Sequence, residues 1–166
     1  MKYYFDTFST PVGDFSVAVD ENNAVIATAF GGSAALKPHF LAEKFIRDFE
    51  RTAEARRQIL AYFAGKHRDF DLPLNLVGTP FQKEVWAALQ QIPFGETRSY
   101  ADIAIQIGNP PATRAVGRAN GANPICLIVP CHRVIGKDGS LTGFGFGEKI
   151  KRQLLEHEGV LTPALV

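Results

Sequence analysis

The hydrophobic period of the chain changes near Gly78, and this change limits the folds that the sequence can adopt. Before that point, apolar residues alternate with polar ones, as they do in half-buried strands. After it, apolar residues recur every three or four positions, as they do in amphipathic helices. Strands followed by helices predict an α+β protein, with the two kinds of element in separate regions. We therefore predict two domains, residues 1–78 and residues 79–166.

The N-terminal region predicts a small antiparallel sheet with one helix. Segments rich in Gly, Pro and Asn separate three alternating stretches, as expected of turns between strands. A helix is favoured later in this region, and Gly65 is placed to end it, because glycine commonly follows the last helical residue. The predicted elements are strands around residues 3–8, 15–19 and 25–26, a helix from about Phe40 to Ala64, and a fourth strand or extended linker over Arg68–Val77.

The C-terminal region predicts a mainly helical domain. Thr79 and Ser99 are suitable N-caps for two helices, and Pro80 is suitable for the first helical position. The second and third helices are short and are joined by a Gly-Asn-Pro turn, which predicts a helix-turn-helix. The predicted elements are helices over Pro80–Ile92, Tyr100–Ile107, Ala112–Asn120 and Glu148–His157, a short buried strand over Ile125–Val129, and a glycine-rich loop over Gly136–Gly147.

Composition excludes several classes of protein. The 166 residues include only two cysteines and four scattered histidines, which give neither a disulfide framework nor zinc-site spacing. No apolar run is long enough to span a bilayer, and the N-terminus lacks the apolar core of a secretion signal, so we expect a cytoplasmic protein. The net charge of +1 does not indicate a nucleic-acid partner by itself. We expect no metal and no cofactor.

Cys131 is the strongest candidate for a nucleophile. It lies between Pro130 and the pair His132-Arg133, and positive neighbours lower the pKa of a thiol and favour the reactive thiolate. Adjacent residues on a strand point to opposite faces, so His132 can act on the thiol only if the backbone turns there or a water bridges them. The alternative interpretation is a small buried apolar side chain, which we retain for Cys126.

Several segments, in order along the C-terminal half, carry a resemblance to a known family. They are Thr79–Gln82 with Val85–Trp86, Ile92–Thr97, Ser99–Tyr100 with Ala104, Arg114–Gly117 with Ala119, Asn123–Ile135, and Leu154–Leu155 with Glu158–Gly159. Together they resemble the O6-alkylguanine-DNA alkyltransferases, also called methylated-DNA–protein-cysteine methyltransferases. The N-terminal half is similar to that family only as a small ribonuclease-H-like domain.

The resemblance implies a single-use DNA repair reaction on a flipped-out base. Cys131 is implied to accept the alkyl group from O6 of guanine, and from O4 of thymine. His132, paired with Glu158, is implied to deprotonate the thiol through a water, while the carboxylate keeps the imidazole in the useful tautomer. Asn123 is implied to brace the turn that carries the thiol, and Tyr100 to donate a hydrogen bond to the departing guanine. The implied partner is double-stranded DNA bound through its minor groove by a monomer.

The resemblance also implies a DNA-contacting surface and a base pocket. Arg114 is implied to enter the duplex where the flipped base stood, because a flipped base leaves a gap in the stack. The implied DNA-binding residues are Thr97, Ser99, Tyr100, Arg114, Ala115, Gly117, Arg118, Ala119 and Arg133. The implied pocket residues are Pro130, Val134, Phe144, Gly145 and Phe146. Relatives often carry a hydroxyl in the loop over the pocket, whereas residues 144–147 here carry none.

Two other functions remain open at this point. A non-catalytic sensor of alkylated DNA would bind the same lesions without reacting, although such proteins have another residue in place of Cys131. A cysteine hydrolase would use Cys131 and His132 on acyl or peptide substrates. From the residues alone, Arg114 can also be interpreted as a solvated helix charge, Tyr100 as a packing residue, and Glu158 as an exposed acid in a last helical turn.

Overall fold

The computed structural model describes residues 2–39 and 44–163, and its contacts divide the chain into two compact units, Met1–Val77 and Gly78–Val166. The first unit contains a four-stranded sheet and one α-helix. The second contains four α-helices among the described residues, together with one short pair of strands. This arrangement confirms the predicted α+β class.

The sheet of the first unit contains the three predicted antiparallel strands. They are β1 (Lys2–Thr10), β2 (Gly13–Val19) and β3 (Val25–Phe30), with β1 paired to β2 and β2 paired to β3. Every residue of β3 is buried, as are the last five of β2. The core of this unit therefore lies against these two strands, where burial of branched and aromatic side chains supplies the main stabilisation.

The predicted helix from Phe40 to Ala64 is wrong over its first part. The structure has a short strand, β4 (Lys44–Arg47), which pairs in parallel with β1 and gives the sheet order β3-β2-β1-β4. The helix itself, α1, spans only Ala53–Phe63, and residues 40–43 lie outside the described residues. A four-residue strand is too short to show its own period, so the helical pattern that follows it dominated the prediction.

Two other predictions for this unit can be compared directly with the structure. Gly65 has a φ of +74° just beyond the last residues of α1, and Lys66 N donates to Ala61 O at 2.9 Å, so the predicted glycine stop is confirmed. The segment Arg68–Val77 does not form a regular β-strand. It is an extended segment that pairs with the sheet at one point, where Val25 and Leu74 form a bridge.

The helices of the second unit follow the sequence closely. Thr79 and Ser99 each form a capping box. The cap hydroxyl accepts a hydrogen bond from the backbone N–H three residues later, and the side chain of that later residue accepts one from the backbone N–H of the cap. A short 3₁₀ turn over Pro110–Ala112 precedes the helix that was predicted to begin at residue 112. The helices are α2 (Pro80–Gln90), α3 (Tyr100–Gln106), α4 (Thr113–Gly121) and α5 (Glu148–His157).

The predicted buried strand over Ile125–Val129 is wrong. This segment is buried, but it closes on itself: Val129 N donates to Ile125 O and Ile128 N donates to Cys126 O, both at 2.9 Å. Leu127 has a φ of +71°, in the left-handed region that non-glycine residues rarely occupy. A short apolar run indicates burial but does not distinguish a strand from a tight turn.

The second unit also contains a parallel pair of very short strands, one just before α3 and one shortly after this turn. It consists of β5 (Arg98–Ser99) and β6 (Val134–Ile135), and neither strand was predicted. The pair connects the start of α3 to the segment that follows Cys131. The residues around the predicted acceptor are thereby joined to α3 by backbone hydrogen bonds.

Candidate active site

Cys131 begins a single 3₁₀ turn, Cys131–Arg133, immediately after Pro130. Its backbone N–H donates to Val129 O at 2.8 Å, and Arg133 N donates to Pro130 O at 3.0 Å, which closes the corner. The backbone turn required for His132 and Cys131 to act together is therefore present. The side chain of Cys131 is only 4% exposed, so the thiol lies in the interior of the unit.

Asn123 holds the turn that precedes this corner. Its Nδ2 donates to Val129 O at 2.8 Å, and its Oδ1 accepts from Ile125 N at 3.0 Å. One buried amide thus bonds to both ends of the segment from Ile125 to Val129, in place of the neighbouring strand that this segment lacks. This geometry agrees with the bracing role expected of Asn123.

Glu158 lies at the centre of a buried group of charged side chains. Its Oε2 is 2.8 Å from Nε2 of His132, its Oε1 accepts from Arg133 Nε at 2.8 Å, and its Oε2 accepts from Arg133 Nη2 at 3.0 Å. Glu158 follows α5 as its C-cap residue. Glu158 is therefore not the exposed acid of the alternative interpretation, and the 26-residue separation from His132 is closed by the fold.

The prediction that Arg133 binds DNA is contradicted by its position. Arg133 is 6% exposed, forms a two-bond fork on Glu158, and donates from Nη1 to Ile92 O at 2.7 Å. Arginine favours this arrangement because its planar guanidinium matches a carboxylate with two parallel hydrogen bonds. Arg133 therefore neutralises and orients Glu158 inside the unit.

The protonation states within this group follow from burial and pairing. Burial raises the pKa of Glu158, but hydrogen bonds and charges from His132 and Arg133 outweigh it and hold that pKa below its ordinary value. Burial lowers the pKa of His132, and Glu158 only partly offsets this effect, so the imidazole is neutral at neutral pH. An ionised carboxylate only accepts hydrogen bonds, so His132 Nε2 carries the ring proton and donates it to Glu158.

That tautomer leaves Nδ1 of His132 as the basic ring nitrogen. Nδ1 is buried and has no hydrogen-bond partner within the described part of the chain. Buried polar atoms of this kind are uncommon and call for an explanation such as a catalytic role or a bridging water. His132 is thus oriented by Glu158 on one side and has an open basic nitrogen on the other.

Lys151 is a site residue that the sequence analysis missed. It lies on α5, its side chain is fully buried, and Nζ donates to Val134 O at 2.6 Å. Burial lowers the pKa of Lys151 to about 8, although the charge of Cys131 partly opposes this shift. In the sequence, Lys151 stands among Lys149 and Arg152 with Glu148 three positions earlier, so no local pattern distinguished it from a solvated helix charge.

The thiol of Cys131 experiences opposing influences. Burial raises its pKa, while the side chain of Asn123, the charge of Lys151 and the backbone N–H groups of residues 131 and 132 lower it. The net shift is upward, so the thiol is mostly protonated in the free protein at neutral pH. Any reaction of this sulfur as a nucleophile therefore requires a base, and the open nitrogen of His132 is the base that the fold places in the adjacent residue.

A pocket of about 490 Å³ opens beside α4. This volume is within the range of roughly 300–1,000 Å³ that is typical of small-molecule sites. Tyr100 contributes to the wall, and its hydroxyl donates to Thr142 O at 3.0 Å. The lining residues are Tyr100, Thr113, Arg114, Gly117, Arg118, Thr142 and Gly143.

The residues predicted to form the base pocket are not among those that line this one. Val134 is fully buried and Pro130 is buried, so neither side chain reaches the surface. Phe144 and Phe146 are half-buried and pack against each other with ring centroids 5.7 Å apart, and Gly145 between them is exposed. The part of the glycine-rich loop that faces this pocket is Thr142-Gly143, one step earlier along the chain.

The predicted DNA-binding residues on α3 and α4 are mostly accessible. Arg114 and Arg118 are exposed and line the pocket. Ala119 is the exception: it is 3% exposed, and its carbonyl accepts from Nε1 of Trp86 at 2.8 Å, so it packs inward. The roles of Thr97, Ser99, Tyr100, Arg114, Ala115, Gly117 and Arg118 in binding DNA stay predictions.

Two further observations concern other kinds of site. Residues 2–39 and 44–163 contain no group of three or more His, Cys, Asp or Glu side chains arranged to hold a metal ion. None of the described helices has the length and apolar character needed to cross a bilayer.

Comparison with known proteins identifies relatives over nearly the whole chain. Residues 80–160 match the family described as the 6-O-methylguanine DNA methyltransferase DNA binding domain, and residues 3–76 match its ribonuclease-like domain. The methylated-DNA–protein-cysteine methyltransferase of Methanosarcina acetivorans is 47% identical over 94% of this chain and 98% of its own. The constitutive enzyme of that name from Bacillus subtilis is 42% identical over 95% and 96%.

Solved structures give the same result. The crystal structure of Mycobacterium tuberculosis OGT in complex with DNA superimposes with a TM-score of 0.83 at 44% identity, over 95% of this chain and 92% of that one. The O6-methylguanine methyltransferase of the same organism gives 0.82 at 43% identity, over 98% and 96%.

Proposed function

The chain belongs to the 6-O-methylguanine DNA methyltransferase family, and on that premise we propose that it repairs alkylated double-stranded DNA by direct transfer to Cys131. The transferred group comes from O6 of guanine or O4 of thymine. The product is a thioether, which no nearby group can hydrolyse, so each molecule acts once. Residues 79–166 form the DNA-binding and alkyl-acceptor domain in this proposal.

The observation that carries the proposal is the buried arrangement of Glu158, His132 and Cys131. The hydrogen bond of 2.8 Å to Glu158 fixes the Nε2–H tautomer, and Nδ1 is left as the basic nitrogen of the residue that follows Cys131 in the chain. In the proposed reaction, Nδ1 takes the Cys131 proton through a bridging water, and Glu158 stabilises the imidazolium that forms. Arg133 supports this step because it keeps Glu158 ionised.

The thiolate then attacks the alkyl carbon. A sulfur–carbon bond forms as the bond between that carbon and O6 breaks, and the electron pair of the broken bond stays on the guanine. Tyr100 donates a hydrogen bond to the leaving guanine, which the flipped nucleotide brings into the pocket. The reaction consumes no external reagent and needs no metal or cofactor.

Lys151 provides electrostatic support for the same step. A positive charge near Cys131 lowers the free energy of the thiolate, and its influence on the thiol pKa is in that direction. The ammonium also bonds to Val134 O and therefore ties α5 to the segment after the acceptor. Lys151 thus favours the ionised sulfur while holding the backbone around it.

The DNA is proposed to lie along α4 with its minor groove toward the helix. Exposed Arg114 enters the duplex in place of the extruded nucleotide, and exposed Arg118 contacts phosphate. The small residues Ala115 and Gly117 keep this face of α4 slim enough for the narrow groove. A single chain carries both the acceptor and this surface, so the active form is proposed to be a monomer, located in the cytoplasm.

The proposal is tested by intact-mass analysis after incubation with a duplex that carries one O6-methylguanine. We expect a gain of about 14 Da, one methyl group replacing one proton, located on Cys131 by peptide mapping. The Cys126→Ser variant should gain the same mass, and Cys131→Ser should bind the duplex without gaining it. Binding without any mass gain would instead indicate a lesion sensor, and repeated turnover of acyl substrates would indicate a hydrolase.

A further inference from the structure

The acceptor sulfur is separated from the pocket beside α4. Cys131 is 4% exposed and is absent from the residues that line the pocket. Tyr100 lies near both: it lines the pocket, and it directly follows β5, which pairs with β6 just beyond the acceptor turn. Tyr100 therefore joins the open pocket to the segment that carries the thiol.

Tyr100 is held in this position by the start of the glycine-rich loop. Its hydroxyl donates to Thr142 O at 3.0 Å, and Lys151 Nζ approaches the same carbonyl at 3.5 Å. Gly143 packs so closely that a Cβ there would lie 2.6 Å from the Tyr100 hydroxyl oxygen. The absence of a side chain at residue 143 is thus required for the bond between Tyr100 and Thr142.

We propose that Thr142 and Gly143 determine specificity by closing the inner end of the pocket through Tyr100. A flipped nucleotide arrives with the binding energy of the whole DNA interface, and part of that energy can break the hydrogen bond between Tyr100 and Thr142. A ring nitrogen of the purine can then replace Thr142 O as the acceptor for the Tyr100 hydroxyl. A small free electrophile brings no such binding energy. The closure therefore reserves the sulfur for DNA, an inference that rests on the proposed function.

The size of the effect follows from the strength of one hydrogen bond. A net contribution of about 1 kcal/mol corresponds to roughly a fivefold change in the population of the open form. Removing the closure should therefore increase the rate of Cys131 alkylation by a small electrophile about fivefold, provided that opening limits access. Repair of duplex DNA should not increase in proportion, because DNA binding already opens the pocket.

The test compares two glycine variants that carry the same backbone strain. Gly143→Ala places a Cβ against Tyr100, whereas Gly139→Ala has a similar φ, +84° against +87°, with nothing within 4 Å of the added atom. The rate of Cys131 modification by iodoacetamide is measured by peptide mapping, which separates it from Cys126. We expect Gly143→Ala to react about fivefold faster than Gly139→Ala, and equal rates would overturn the proposal.

Tyr100→Phe provides a second route to the same result if Gly143→Ala does not fold. It removes the hydroxyl that bonds to Thr142 and adds no atom. Iodoacetamide should then modify Cys131 faster than in the wild type, and an unchanged rate would contradict the closure. The DNA arm uses an O6-methylguanine duplex: wild-type protein that gains no methyl group on Cys131 refutes the proposed function, whereas the iodoacetamide arm alone decides the closure.

Discussion

The buried ammonium of Lys151 gives the most quantitative prediction. Burial lowers the pKa of this lysine from 10.5 to about 8, so folding disfavours its charged form at neutral pH. Between pH 8 and 10.5, the unfolded chain binds more protons at this lysine than the folded chain does. The free energy of unfolding therefore rises with pH across that window. Lys151→Met keeps a similar length of apolar chain and removes the titrating group.

The magnitude can be worked out for the difference between the two proteins. Integrating the two binding curves from pH 7 to pH 10 gives a change of about 2–3 kcal/mol in favour of the wild type. At pH 7, Lys151→Met removes the destabilising cost of a buried charge. It also leaves Val134 O without its hydrogen-bond donor, and an unsatisfied buried carbonyl lowers the stability by about 1–3 kcal/mol. We therefore expect the two proteins to have similar stability at pH 7 and the wild type to be the more stable at pH 10.

Urea unfolding of both proteins at pH 7, 8, 9 and 10, followed by the fluorescence of the single Trp86, measures this difference. The pKa of Cys131 is raised by burial, so its contribution to the stability of the protein falls with rising pH. This change opposes that of Lys151 in the wild type. Because the charge of Lys151 itself lowers the Cys131 pKa, both proteins are compared in a Cys131→Ser background, in which this opposing titration is absent. A difference that stays constant from pH 7 to 10 would refute the assignment of a buried, charge-penalised lysine.

Two further substitutions test the proton relay and the DNA contact. Glu158→Gln should slow iodoacetamide modification of Cys131 at pH 7 by removing the charge that stabilises the imidazolium, and an unchanged rate would break the relay. Since the pKa of Glu158 is held below its ordinary value, the stability that it contributes is present above about pH 4.3 and declines as the pH falls, and this decline should be absent from the variant. Arg114→Ala should reduce repair of an O6-methylguanine duplex more than reaction with free O6-benzylguanine, with Arg152→Ala on α5 as the control. Equal losses on both substrates would remove the proposed insertion of Arg114 into the duplex.

The sequence predicted local structure best where a single residue imposes it. Thr79 and Ser99 begin helices because their hydroxyls cap the first turn, and Gly65 ends one because it accepts a left-handed φ. Such features depend on a few neighbouring residues and are visible in the sequence. Strand β4 and the pair β5–β6 were missed because they consist of two to four residues and exist through partners distant along the chain.

The site divides in the same way between local and distant contacts. Cys131 and His132 are adjacent, so their motif is visible in the sequence, whereas the position of Glu158 was implied only by the family resemblance. The assignment of Arg133 to DNA binding likewise came only from the family resemblance. Its actual partner, Glu158, lies 25 residues away, and no local pattern could have indicated that pairing.

The corrected position of Arg133 changes the account of how the thiol is controlled. Burial alone would favour the protonated form of this carboxylate, because burial raises its pKa. The hydrogen bond from His132 and the Arg133 fork together keep Glu158 ionised, and an ionised Glu158 in turn fixes the proton of His132 on Nε2. Arg133 thus acts on the acceptor through two intermediates. Its role is in the protonation state of the site, and the proposed DNA contacts are those of the exposed arginines of α4.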